Sequence, residues 1–410
     1  MMGNALVAQS GGPTTAINAS LVGVVKGAVA SGKFDKVLGG LHGIVGVMDE
    51  KIVEISTDEA ELSLIYRTPS SYLGSCRYKM PLVGEDDALY DRVLEVLTKW
   101  DVSAFFYIGG NDSMDTIAKL ATYGKQVGSD IRFIGVPKTI DNDLVCTDHA
   151  PGYGSAAKYI ATSMLEIAHD TAVYEAPCVT IVEIMGRDAG WLTASAALAR
   201  NKYNPTPQLI YLPEVAFSRT KFIQDVKDCL SKTNNVVVAV SEGIRDDKGL
   251  YLSAKMKAED KFGHMQLSGV GKYLENLVKD ELSIKCRSVE LSILQRCAAH
   301  IASKTDLDEA VELGKEAANL AAQGLTGVMP ILKRGSNNPY TVILQHVDIS
   351  TIANQESKVP REWINELGND VNDKMIEYIK PLVQGEVVIG YSEGLPVYGD
   401  ISHLTKKEEG

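Results

Sequence analysis

The chain has 410 residues, 45% hydrophobic and 23% charged, with a formal net charge of −12. That length favours two domains, and the acidic balance argues against nucleic acid or an anionic membrane as the main partner, while leaving room for a local basic pocket that takes a small anion. No apolar run approaches the roughly eighteen residues of a membrane span, "MMGNALVAQSGG" lacks the pattern of a signal peptide, and the scattered Cys76, Cys146, Cys178, Cys229, Cys286 and Cys297 suit reduced thiols in a cytoplasm better than disulfides or a zinc site.

Along the chain, short apolar runs alternate with longer amphipathic ones. "ALVAQ", "KVLGGL", "AFFYIGG" and "IRFIGVP" read as buried strands, and "AINASLVGVVKGAVASG", "DDALYDRVLEVLTKW" and "DSMDTIAKLATYG" as helices between them. This alternation predicts an α/β fold with mostly parallel sheets covered by helices on both faces. A long helix, "GSAAKYIATSMLEIAHDTAVY", precedes a second set of alternations: "CVTIVEI", "AGWLTASAALAR", "QLIYLP", "FIQDVKDCLSK" and "NVVVAVSEG". The expected division is one domain from 1–155 and about 297–345, a second from 156–296, and a C-terminal extension of helix and loop from 346–410. "DLDEAVELGKEAANLAAQG" is the helix that returns to the first domain.

Ligands of such sheets bind beyond the C-terminal ends of the strands. The first strand ends in "SGGPTTAIN", where Gly11 and Gly12 permit close backbone approach and the next helix start offers free N–H groups to an anion; a tight turn explains the same letters. A later strand ends in "GGNDSMD". An N-cap accounts for one polar residue there but leaves Asn111 and Asp112 together unexplained, with Ser113 beside them. The third end is "PKTIDND". An Asx-turn covers Asp141, Asn142 and Asp143 but not Lys138 or Thr139. Together the three ends resemble one phosphate site, because phosphoryl transfer needs amides and cations for the phosphates, a metal site, and a carboxylate to take the hydroxyl proton. In the second half, Arg187 in "EIMGRDAGWL" and Glu242 in "VAVSEGI" follow strand ends, and Arg287 and Arg296 bracket "SVELSILQ". Any one arginine alone would be a surface ion pair; the set suggests a phosphorylated substrate, with the glutamate for a sugar hydroxyl.

Up to about residue 345 the chain resembles the phosphofructokinases. The resemblance rests on "SGGPTTAIN", "GSCR" at 74–77, "GGNDS", "TIDND", "EIMGR", "SEG" and "RSVELSILQR", in family order. It implies two similar three-layer domains with the active site in the cleft between them. It also implies Asp141 as the base for the sugar 1-hydroxyl, flanked by Thr139, Ile140 and Asp143, and Met185, Gly186, Arg187, Glu242 and Arg296 as sugar-phosphate contacts. Gly12, Arg77 and Ser113 match the donor side, Arg287 an arginine that reaches across a subunit interface, and Asn111 the Mg²⁺ site.

ATP-using bacterial members read "GGDGS" and "PGTIDND", so Asp112 and Lys138 here stand where they carry glycines. That pair resembles the pyrophosphate-dependent branch. A carboxylate at 112 would fill the volume of an ATP α-phosphate and repel it by on the order of 2–4 kcal/mol at an effective dielectric of about 20. Lys138 would supply a cation to a donor that lacks adenosine contacts. Val22 stands where allosteric bacterial members carry an effector-site arginine, which predicts weak or absent nucleotide regulation, and Cys178 stands where the bacterial ATP enzymes carry a further cross-subunit arginine. The implied function is reversible, Mg²⁺-dependent phosphoryl transfer from pyrophosphate to fructose 6-phosphate by a cytoplasmic homo-oligomer, a dimer or tetramer. The alternatives are an ATP-dependent enzyme and a catalytically silent regulatory subunit of the same fold.

Overall fold

The computed structural model describes residues 3–252, 269–352 and 355–405. The first apolar runs form β1 (Asn4–Gln9), β2 (Val37–Gly40), β3 (Ile52–Glu54), β4 (Val102–Gly109) and β5 (Arg132–Pro137). All pair in parallel except β3, which runs antiparallel to β2. The strands are apolar on both faces because helices cover both. Leu6, Ala8, Phe105 and Tyr107 enter one core, while Ala5, Val7, Ala104, Phe106 and Ile108 enter the other.

The second set forms β6 (Cys178–Ile184), β7 (Leu209–Tyr211), β8 (Asn235–Ser241) and β9 (Lys285–Glu290), an all-parallel sheet in the order β7-β8-β6-β9. Again Val182 and Ile184 of β6 face one core, and Val179 and Ile181 the other. Helix Tyr153–Ala172 belongs to the first of these cores, through Tyr153, Ala156, Ala157, Ile160 and Met164. Helix Lys304–Ala322 returns to the first sheet, where Ala317, Ala318 and Ala321 join Ile17, Leu21, Val24 and Val25.

A hairpin, β10 (Val328–Asn337) and β11 (Tyr340–Asp348), then extends the first sheet beyond β5, to the order β11-β10-β5-β4-β1-β2-β3. Its second strand alternates half-buried and exposed residues rather than presenting an apolar run, so the sequence reading passes over it. The strand also runs three residues past the expected start of the C-terminal extension.

That extension is built into both cores. Ile349 and Ile352 lie in the core of the first sheet. Val359, Ile364, Val371, Met375, Tyr378, Ile379 and Leu382 are buried against Tyr153, Trp191 and Ile210 of the second. The last described residues come back to the first half, where Gly399 N donates to Thr68 Oγ1 (2.7 Å) and the His403 ring lies 2.7 Å from the Tyr72 carbonyl.

A buried ionic network follows the "TIDND" segment in sequence. His149 Nδ1 is 2.8 Å from Asp148 Oδ2, and Nε2 is 2.6 Å from Glu309 Oε2. Arg334 also binds Asp148 (2.8 Å), and Tyr340 donates to Glu309 (2.7 Å). Burial alone would push the His149 pKa down, but the two carboxylates override it and raise the value to about 9. The raised pKa means that charged His149 stabilises the fold fully below its ordinary value of 6.5, and that this contribution is lost as pH rises through about 9. The gap corresponds to on the order of 3 kcal/mol. The stability difference between the wild type and His149→Gln, measured by denaturant titration, is expected to be largest at pH 6 and to shrink as the pH rises to 10. A difference independent of pH would show that His149 is not charged in the folded state.

Candidate active site

The three strand ends converge on one cleft of about 690 Å³. Gly11, Gly12, Pro13 and Thr14 come from beyond β1, Gly110 to Ser113 from beyond β4, and Lys138 to Asp141 with Asp143 from beyond β5. Met185 and Arg187 enter after β6, Glu242 after β8, and Arg296 after β9. Six cations (Arg77, Lys79, Lys138, Arg187, Arg296, Lys358) face six carboxylates (Asp112, Asp141, Asp143, Asp188, Glu242, Glu356). On a chain of net charge −12, the cleft thus gathers as many basic as acidic side chains, which makes it less repellent to an anion than the rest of the surface.

The β1 loop turns at Gly11, whose φ of +75° a side chain rarely adopts. Its opening onto the next helix differs from the expectation. Thr14 Oγ1 accepts from Ala16 N (3.2 Å) and Ile17 N (3.0 Å), so the helix spends those amides on its own cap. The positive charge at this loop is supplied by Lys138 instead. Its side chain is 2% exposed, and Nζ donates to the carbonyls of Ser10 (2.9 Å) and Gly12 (2.7 Å). An ammonium has three N–H groups, so one remains for a ligand. Burial pulls its pKa down to about 7, partly offset by Asp141.

At the β4 end the N-cap is Gly110, without a side-chain cap, and Asn111, Asp112 and Ser113 form the first helical turn. The capping account of "GGNDS" therefore does not hold. Asn111 Nδ2 donates to Asp143 Oδ2 (3.2 Å). Asn111 Oδ1 and Asp143 Oδ1 are both buried with no hydrogen-bond partner. Among the described residues no group of three or more His, Cys, Asp or Glu side chains is arranged to hold a metal. Two unsatisfied oxygens do fit a hard divalent cation that takes its other ligands from phosphate and water.

Asp141 and Asp143 share this buried corner. Burial raises both carboxyls, and Asp143 raises Asp141 further, with Arg187 and Lys138 pulling Asp141 back and Thr139, Asn111 and Lys138 pulling Asp143 back. Across the cleft, Glu242 Oε1 accepts from Gly186 N (3.3 Å), and burial, then Asp141, pushes its pKa up to about 8. A Cβ on Gly243 would meet the Arg187 carbonyl at 1.8 Å, so this close approach needs glycine and fixes the Arg187 backbone. Arg187 Nε is buried without a partner, and the Arg296 guanidinium lies against Gly12, where an added Cβ would be 3.3 Å from Nη1. Both arginines are thus available at the junction of the two halves.

The expected site residues gather here with two exceptions. Gly186 stands behind the wall, holding Glu242. Arg287 lies in the middle of β9 outside the cleft, bonded to Asp170, Thr171 and Thr180. Arg296 sits on a short helix, Leu294–Cys297, rather than on a strand. Lys79, Asp188, Gln355, Glu356 and Lys358 also line the cleft and were not read from the sequence. Asp188 directly follows Arg187 and could have been found by that adjacency. The other four carry no local signal.

Known proteins share this architecture. The Phosphofructokinase family model matches residues 4–321. A pyrophosphate–fructose 6-phosphate 1-phosphotransferase of Xanthomonas campestris pv. campestris is 41% identical over 98% of this chain and 97% of its own length. One of the same name from Halomonas elongata is 39% identical over 96% and 94%. The crystal structure of a pyrophosphate-dependent phosphofructokinase from Nitrosospira multiformis superposes with a TM-score of 0.88 at 38% identity, covering 96% of this chain and 95% of that one. With the strand-end motifs assembled in one cleft and relatives matching along nearly the whole length, the chain belongs to the phosphofructokinase family.

Proposed function

We propose that this protein transfers a phosphoryl group from pyrophosphate to the 1-hydroxyl of fructose 6-phosphate, reversibly, giving fructose 1,6-bisphosphate and phosphate. The observation that carries the choice of donor is the pair Asp112 and Lys138 lining one cleft, with the Lys138 ammonium buried against the β1 loop. The near-full-length relatives that bear this activity in their names support the same reading. In this reading the first sheet with helix 304–322 is the donor half, and the second sheet is the sugar half.

The C1 oxygen attacks the terminal phosphorus, the P–O–P bond breaks, and the hydroxyl proton passes to Asp141. The raised Asp141 pKa suits a base that works near neutrality. Lys138 and Arg77 hold the donor and the leaving phosphate, with Gly12 and Ser113 at the loop. Arg187 and Arg296 hold the sugar phosphate beside Met185. Glu242, kept protonated near neutrality by burial, meets a sugar hydroxyl without adding a charge beside Asp141. Asn111 and Asp143 would hold a Mg²⁺, which would neutralise phosphate charge. No described helix is long and apolar enough to cross a membrane, and all six cysteines are free thiols, which supports a cytoplasmic setting. Arg287, outside its own cleft, fits a homo-oligomer in which it serves another subunit.

The direct test is an assay of the purified protein with fructose 6-phosphate and Mg²⁺. Pyrophosphate is expected to exceed ATP by at least a hundredfold in kcat/KM, and Asp112→Gly to move that ratio at least tenfold toward ATP. Equal use of ATP, or an unchanged ratio in Asp112→Gly, would overturn the donor assignment.

Asp141→Asn is expected to lower kcat by about 10²–10⁴ with little change in the KM for the sugar phosphate. The wild-type kcat/KM should rise with pH on the acid side, with a midpoint near neutrality rather than in the ordinary carboxylate range. Turnover close to wild type in the variant would exclude Asp141 as the base. Arg296→Ala should raise the KM for fructose 6-phosphate roughly tenfold or more, since a charge-assisted contact to phosphate contributes about 1.5–3 kcal/mol. A rise confined to the KM for pyrophosphate would reassign Arg296 to the donor, a possibility that its contact with Gly12 makes concrete.

A further inference from the structure

Asp141 is held mainly through its neighbours. Its backbone N donates to Thr139 Oγ1 (3.1 Å), but the two residues that follow it are fixed from the C-terminal extension. Asn142 adopts a left-handed backbone, φ 55°, and is 3% exposed. Its Oδ1 accepts from Ala150 N (3.0 Å), and its Nδ2 donates to the hydroxyl of Tyr378 (2.8 Å). That hydroxyl in turn donates to the Asp148 carbonyl (2.7 Å). One oxygen, 236 residues away in sequence from Asn142, thus closes the loop between its two ends. The next carbonyl, of Asp143, accepts from Ser357 N (2.8 Å), and the Ser357 carbonyl accepts from Trp191 Nε1 (3.0 Å) in the sugar half.

The Tyr378 ring has little freedom. It is 8% exposed, its centroid lies 5.2 Å from that of Trp191 and 5.4 Å from that of Trp363, and the Arg334 guanidinium sits 4.7 Å above it. A hydroxyl fixed in this way sets where Asn142 can be. With Asn142 in a left-handed conformation, the chain direction on both sides of it follows. A carboxylate acting as a base has to be placed to within a fraction of an ångström.

We infer that Tyr378 is a positioning residue for Asp141: through Asn142, and together with Ser357, the C-terminal extension sets the place of the base. This inference rests on the reading of Asp141 as the base. It gives the last part of the chain, which carries no family motif, a role in turnover rather than in covering the fold alone.

The test compares Tyr378→Phe with Tyr340→Phe, which removes a hydroxyl from the same buried region, where it binds Glu309 and no residue of the 141–143 segment. Tyr378→Phe is expected to lower kcat about tenfold and to leave the KM for fructose 6-phosphate within about twofold. Tyr340→Phe should leave kcat unchanged even if the melting temperature falls equally. Asn142→Ala should lower kcat as well, and the double variant should fall no further than the worse single. Independent, multiplicative losses, or equal kcat changes in the two tyrosine variants, would overturn the inference. Amide exchange over 141–150 reads the same coupling without turnover. Faster exchange in Tyr378→Phe but not in Tyr340→Phe is expected, and equal exchange would count against the inference even if the proposed reaction itself were disproved.

Discussion

Charge withdrawn from water is the constraint around which this molecule is organised. Lys138 is buried and Asp141 and Asp143 are half-buried beyond the end of one strand, and each alone would carry a desolvation cost. They are tolerable together because the lysine binds two carbonyls and sits within range of both carboxylates, while Asn111 donates to one of them. The compensation is incomplete: the lysine is pulled down and the carboxyls are pushed up. Anionic phosphates and a divalent cation would complete it, so the unliganded site is poised for charged reactants.

The supporting architecture follows from that need. Parallel strands deliver their C-terminal ends to one edge, so residues from β1, β4 and β5 meet without long loops. The second sheet does the same for β6 and β8. Helix turns beginning at Gly110 and the tight turn at Gly11 bring backbone to the cleft where bulkier residues would close it.

Much of this was legible in the sequence because it is local. The apolar runs gave the strands, and polar letters at their ends, above all a lysine and two aspartates after "IRFIGV", marked the cleft. The capture of the Ala16 and Ile17 amides by Thr14 was not legible, since a threonine three residues before a helix start reads equally as turn or cap. The helix that carries Arg296 was not legible either, because its four residues are too few to show a period. Lys358 and Tyr378 were invisible for a different reason. They belong to segments whose own pattern is unremarkable and reach the site only through contacts hundreds of residues away. The hairpin β10–β11 escaped because its outer strand, half solvated, lacks an apolar run.

The path of the last sixty residues has a mechanical consequence. After β11 the chain passes from the first core to the second through Ser357, stays there through Leu382, and crosses back to reach Thr68 and Tyr72. With helix 304–322 having already returned once, the two halves are laced together by several covalent passes rather than joined at a single hinge. A movement of one half against the other would therefore have to bend all of these passes together, rather than a single linker.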